Sequence, residues 1–381
     1  MNEAKVEIVR DKKGVRDFVT FPFALYRDDP NWVPPFIEER VDFLDRHKNP
    51  FFEHARCELF MARREGKIVG TIAAVVDDFH NQLYNERLAA FGFFECIDDA
   101  QVAACLLQAA ERWAIQQGMT VVRGPLSLST NQECGLLIEG FDTPPMIMMT
   151  HNPRYYARLI EANGYAKAMD LFAYIGDLDD RLKNAPPKFF RVAHKAIERQ
   201  KIRIRKADAR RFAQELELFR QVYQRAWNEN WGFVPLTNKE INYLAANFKQ
   251  WLDPHLILIA ENEKGEPIGV SIAMPDLHQA LKWSGGGNLF PFGALKFLWY
   301  SRRINQARLF AMGVVEEYRG IGIDAVFYVE TARAALARGY KRMEGSWVLE
   351  SNTMMNRISE RVGGERYKTY RIYEKALSAL Q

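Results

Sequence analysis

The chain repeats itself, and that constrains its fold more than any other feature. Asn31-Trp32, followed by Val33-Pro34, returns as Asn230-Trp231, followed by Val234-Pro235, at an offset of 199 from Asn31 to Asn230. Ile68-Val69-Gly70-Thr71-Ile72-Ala73 is echoed by Ile268-Gly269-Val270-Ser271-Ile272-Ala273, where Gly70 to Gly269 is again 199. Gly118 and Gly339 each close an Ala-rich stretch at an offset of 221, and Asn152/Asn352 and Gly164/Gly363 return to 200 and 199. Copy two therefore carries about 22 extra residues before Gly339, and copy one a similar excess between Gly124 and Asn152. Two irregular copies of one domain are expected, because a solenoid needs short repeats. The joint is expected at 181–200, around Pro186-Pro187, which gives domains at 1–180 and 201–381.

Each copy reads in the same α/β order. In copy two, Lys201 to Arg205 alternates as a strand, Phe212 to Trp227 is an amphipathic helix, and Leu256–Ala260 and Ile268–Ala273 flank a hairpin turn. Leu309–Val315 is a third strand, Gly322 to Arg338 a helix stopped by Gly339, and Arg342–Val348 a strand. Asn352 to Val362 is a helix and Tyr367–Tyr373 the last strand. In copy one, Val102, Leu106, Ala109 and Trp113 mark a helix with Asp98 or Asp99 as N-cap.

Composition narrows the class. Apolar residues make 48% of the 381 and charged residues 26%, the balance of a globular chain. A net charge of +4 is too weak to argue for nucleic acid. No apolar run is long enough to span a bilayer, and Cys57, Cys96, Cys105 and Cys134 show no C-x-x-C spacing, so a cytoplasmic protein is expected. The seven histidines fall in no ligand spacing, so no metal is expected.

The segment that carries chemistry is Gly313-Val314-Val315-Glu316-Glu317-Tyr318-Arg319-Gly320-Ile321-Gly322-Ile323, a strand, a two-glycine loop and a helix start. Glycines let the backbone approach an anion, and a helix N-terminus adds partial positive charge. Arg319 would add a direct charge-assisted contact. This setting resembles the GNAT acyltransferase superfamily, whose (Q/R)-x-x-G-x-(G/A) loop holds the pyrophosphate of coenzyme A. Arg319 and Gly322 match, and Asp324 stands where Gly or Ala is usual. The later N-x-x-A-x-x-x-Y-x-x-x-G pattern is met by Asn352 and Gly363, with Met355 and Ser359 replacing the small residue and the Tyr. The whole chain resembles bacterial tandem-GNAT proteins, some of them ceramide synthases that acylate sphingoid bases, through Asp29-to-Pro35, Glu344-to-Asn352 and Lys368-to-Tyr373.

The resemblance implies two GNAT-like domains, each a mixed, mostly antiparallel sheet flanked by helices. It also implies an N-acyltransferase that uses acyl-CoA or acetyl-CoA and a small-molecule or lipid amine. Val314, Val315, Arg319, Gly320, Ile321, Gly322, Ile323 and Asn352 would hold the co-substrate, with a backbone N–H of Val314 or Val315 on the oxyanion. Glu344 is favoured over Glu316 and Glu317 as general base, because a carboxylate in an apolar strand needs a partner or a role. Ser359, Ser346, Tyr367, Tyr370 and Tyr373 are the candidates to protonate the thiolate. Copy one offers Glu95-Cys96-Ile97-Asp98-Asp99 at the matching corner, where carboxylates oppose a pyrophosphate, so it is read as a structural, acceptor-side domain. Its Pro125-to-Pro153 segment, with Asn131, Glu133, Asp142 and His151, is either a core cover or an acceptor-binding loop.

The extra residues of copy two, 283–303, are apolar and glycine-rich, and Gly293 to Arg303 reads as a short amphipathic helix. It suits a lid over an acyl chain, a peripheral contact with anionic lipid, or a buried hairpin. Two other functions stay open: a silent CoA-binding scaffold, and a tRNA-dependent aminoacyl transferase.

Overall fold

A computed structural model describes residues 3–184, 191, 194–195, 197–228, 230–288 and 291–378. Pro186-Pro187 of the expected joint and Leu289 and Phe290 of the apolar insert lie outside the described residues. Thirteen strands are formed among the described residues: β1 (Lys5–Ile8), β2 (Ala55–Arg64), β3 (Lys67–Asp77), β4 (Leu88–Cys96), β5 (Val121–Gly124), β6 (Leu136–Glu139), β7 (Ala166–Asp177), β8 (Arg203–Lys206), β9 (Ile257–Glu261), β10 (Pro267–Pro275), β11 (Gln306–Val314), β12 (Arg342–Leu349) and β13 (Glu365–Ala376). The fold is α/β, with mostly antiparallel sheet flanked by helices.

The chain packs into two compact units that are interleaved in sequence. One comprises residues 1–171, 278–302 and 368–381, and the other residues 172–277 and 303–367. Strands β7 and β13 are divided between them.

In the first unit the strands run β1-β2-β3-β4-β5, and the second half of β13 closes this sheet on β5 with Tyr373 opposite Gly124. β4 and β5 are parallel over only Leu88↔Val121 to Ala90↔Arg123, although β4 continues to Cys96. The helix Ala100–Gln116 buries Val102, Leu106, Leu107 and Ala110 in the core. Asp99 is its N-cap, accepting from Gln101 N and Val102 N.

In the second unit the order is β12-β11-β10-β9-β8, with the second half of β7 beside β12. Its core gathers Val222 of the helix Phe212–Ala226, Leu258 and Val270 of the sheet, and Val326 and Phe327 of the helix Ile323–Ala337. The insert helix runs Gly293–Ser301, within the first unit. It is pinned by Phe297, buried edge-on against Phe36, and leaves Phe292, Leu295, Leu298 and Trp299 exposed.

Candidate functional site

The site in the second unit begins where β11 and β12 part. They are parallel from Gln306↔Arg342 to Leu309↔Gly345, and from there run on to Val314 and Leu349 without pairing with each other. On its other edge β11 carries a bulge opposite Ile272/Ala273, which re-aims the backbone beyond it. The Val315 N–H donates to the Ile268 carbonyl at 2.9 Å. Successive strand N–H groups alternate, so those of Met312 and Val314 face the side from which β12 has diverged. Of the two oxyanion donors expected from sequence, Val315 is thus already engaged. The Trp227 ring packs on Gly313, where a Cβ would approach it to 2.5 Å, and walls this stretch of β11.

The loop after β11 leads into the helix Ile323–Ala337. Gly320 and Gly322 have φ of 75° and 101°, the left-handed region that glycine enters without strain. Gly322 is the N-cap and has no side chain to satisfy the first helical N–H groups, so these orphan donors point out of the helix. A Cβ at Gly320 would meet nothing within 4 Å, so it is the left-handed backbone and not crowding that calls for glycine there. Arg319 does not project as a free cation. Its Nε donates to the Val314 carbonyl at 3.3 Å and its Nη2 to the Ala226 carbonyl at 3.0 Å, which braces the loop against the preceding helix. Ile323 is buried, and Asp324 sits one turn before Tyr328 on the same helix face.

Glu344 has no exposed surface. The Ser346 hydroxyl donates to its Oε1 and the Tyr367 hydroxyl to its Oε2. Arg308, opposite it in the β11–β12 register and equally buried, lies 3.7 Å from Oε1 and donates to Ser346 Oγ at 2.9 Å. Each Glu344 oxygen is thus covered by a hydroxyl, Oε1 by Ser346 and Oε2 by the half-buried Tyr367. Sequence reasoning missed Arg308, whose place opposite Glu344 depends on strand register.

Ser359 is buried on the helix Thr353–Arg361, and its hydroxyl lies 3.3 Å from that of Tyr328. A phenol thus reaches Ser359 from a different helix. Burial pushes Tyr328 up, while the Ser359 hydrogen bond and the charge of Arg181 pull it down. Arg181 is itself buried, and its Nε has no hydrogen-bond partner among the described residues. Nothing in the spacing of this tyrosine and arginine along the sequence ties them to Ser359. Asn352 caps its helix by accepting from Met355 N at 3.1 Å, so it positions Ser359 through the helix. Tyr370 is fully buried on the half of β13 that belongs to the first unit, paired with Leu137 of β6. Glu344 and Ser359 lie in the second unit.

Among the described residues no group of three or more His, Cys, Asp or Glu is placed to hold a metal ion. No described helix is long and apolar enough to cross a membrane.

No family model matches the chain. Two relatives are similar along nearly its whole length. Protein YghO of Escherichia coli is 39% identical over 375 residues, covering 96% of this chain and 94% of the relative. The bacterial ceramide synthase of Caulobacter vibrioides is 39% identical over 379 residues, covering 97% and 96%. Among solved structures, the tandem GNAT protein of the clavulanic acid biosynthesis pathway superposes with a TM-score of 0.60 at 13% identity, over 100% of both chains. A GCN5-related N-acetyltransferase from Sphaerobacter thermophilus superposes with 0.53 at 14%, over 98% of this chain and 96% of that one.

Proposed function

The chain belongs to the bacterial tandem GNAT family and is an acyltransferase, and from that premise we propose that it moves a long acyl group from acyl-CoA to the primary amine of a lipid-like, sphingoid-type acceptor. One observation carries the donor half of this reading: the parted β11 and β12 lead into a left-handed glycine loop and a helix N-terminus with no side-chain cap. Uncapped N–H groups and the helix dipole suit a pyrophosphate. Copy two is thus the donor domain and copy one the acceptor-side domain. Gly320, Ile321, Gly322 and Ile323 would hold the pyrophosphate through backbone, and Arg319 would keep the loop in shape.

Bound acyl-CoA supplies a thioester carbonyl. The Val314 N–H is the donor for its oxygen. Tyr367 takes a proton from the amine at its hydroxyl oxygen and passes its own to Glu344 Oε2, with Arg308 holding the charge. Tyr328, hydrogen-bonded to Ser359 and facing the Arg181 charge, donates its hydroxyl proton to the leaving sulfur. The ceramide synthase relative supports a lipid acceptor. So does the exposed apolar helix Gly293–Ser301, which suits a lipid surface or a lid over an acyl chain. Each buried CH₂ adds about 0.8 kcal/mol, so chain length would dominate donor choice.

Thermal unfolding with CoA and acyl-CoAs of two to sixteen carbons tests this. A ligand at 100 times its Kd adds about 2.7 kcal/mol, several degrees in Tm. A shift that rises with chain length and vanishes in Gly322→Asp is expected. Equal shifts at all lengths would refute the long-chain donor, and no shift would refute the donor site. Tyr328→Phe should keep the shift and slow thiol release about 100-fold.

A further inference from the structure

The first unit holds a cavity of about 160 Å³ where β4 leaves β5. Its apolar wall includes Phe18, Trp32, Phe93, Leu136 and Met149, and much of its rim is the Pro125-to-Pro153 segment. One carboxyl enters it without a cation. Tyr26 and Tyr156 donate to Glu95 Oε2 at 2.8 and 2.7 Å, and Oε1 has no partner among the described residues. The other charges lining the cavity are matched elsewhere. Arg40 pairs with Glu133, His151 Nε2 lies 2.8 Å from Asp29 Oδ2, and His278, which also lines the cavity, has its Nδ1 2.9 Å from the Pro145 carbonyl. Burial lowers the pKa of His151 against the pull of Asp29, so the ring contributes no net positive charge near neutral pH. Aromatic wall, one open carboxylate oxygen and no spare cation define a ligand that is positive at one end and apolar at the other.

We propose that this cavity binds a primary amine with an apolar substituent, its ammonium seated on Glu95 Oε1 and its chain against Phe18, Trp32 and Phe93. In identifying this amine as the acyl acceptor, the inference rests on the acyl-transfer reading; the binding site itself does not. A seated ammonium gives one proton to Oε1 and becomes the neutral amine, while the carboxylate becomes the acid, and nothing is oxidised or reduced. Burial pushes Glu95 up to about 7, against the two tyrosine hydrogen bonds that pull it down and with Glu133 adding to the rise. That is the range in which a carboxylate takes and returns a proton at neutral pH.

The test is calorimetric titration of the full chain, without CoA, using octylamine and its neutral counterpart octanol. Octylamine should bind at least tenfold more tightly than octanol. Glu95→Gln should abolish that preference, and Ser127→Phe, which fills the cavity and leaves the carboxyl in place, should weaken both ligands. Equal binding of amine and alcohol, absence of amine binding, or a preference that survives Glu95→Gln would each overturn the proposal. Should Glu95→Gln fail to fold, the comparison of the two ligands on the native chain and on Ser127→Phe still decides. Failure of the acyl-transfer reading shows separately, as a missing acyl-CoA shift in a sample that contains no amine.

Discussion

The two copies turn the same corner with opposite outcomes. After β4, Asp99 accepts from the N–H groups of Gln101 and Val102 and pairs with Arg64 at 2.8 Å, so the helix start is satisfied from within. After β11, Gly322 offers no side chain and the equivalent donors have no side-chain cap, which the proposed reading gives to a pyrophosphate. One residue at the N-cap thus decides whether a helix start is satisfied by its own side chain or leaves its first N–H groups uncapped. The copies also differ in how they keep a buried carboxyl. Glu344 has Arg308, Ser346 and Tyr367 around it, whereas Glu95 has two phenols and no cation among the described residues. A cation beside a buried carboxyl offsets its charge, and a buried carboxyl without one is pushed toward its protonated form.

Three measurements would sharpen or break this contrast. The largest effect is expected from Arg308→Met, which strands Glu344 as a buried charge and should cost about 3–5 kcal/mol in urea unfolding. The double variant with Glu344→Leu should recover most of it, and a single-variant loss under about 1 kcal/mol would mean that the pair matters little. Next is the pH dependence of Glu95→Gln. The native carboxyl keeps its proton up to about 7, while in an unfolded chain it releases it near about 4.3. Between those values the native state binds more protons, so wild-type stability should fall as pH rises and level off above 7, at about 1.4 kcal/mol per pKa unit separating the states. The Glu95→Gln variant should lack that slope, and parallel curves would show that Glu95 is not raised. Smallest is Asp99→Ala, which removes the cap and its bond to Arg64 and should cost about 1 kcal/mol. The acyl-CoA shift should be untouched, and its loss would mean that copy one takes part in donor binding.

Local signals were legible in the residues. Glycine spacing marked the loop at Gly320 and Gly322, the cap was narrowed to Asp98 or Asp99 and is Asp99, and periodicity placed the helices Phe212–Ala226, Ile323–Ala337 and Thr353–Arg361 to within a residue or two. Partners set by strand register or by distant packing were not. Arg308 meets Glu344 only because β11 and β12 are in a particular parallel register, and Tyr26 reaches Glu95 from a helix in another part of the copy. Arg319 reads as a phosphate ligand in the loop, and nothing in the sequence shows that its Nε and Nη2 also donate to the carbonyls of Val314 and Ala226. Tyr328 is one aromatic among many buried ones until Thr353–Arg361 brings Ser359 beside it.

The closure of the first sheet by β13 sets a clock on the chain's birth. Gly124 of β5 leaves the ribosome about 250 residues before its partner Tyr373, and at 5–20 residues per second that is roughly 12 to 50 s. For that interval β5 presents an unpaired edge to everything in the cell, a standing invitation to pair with a neighbouring chain. A nascent chain truncated anywhere before β13 never withdraws it.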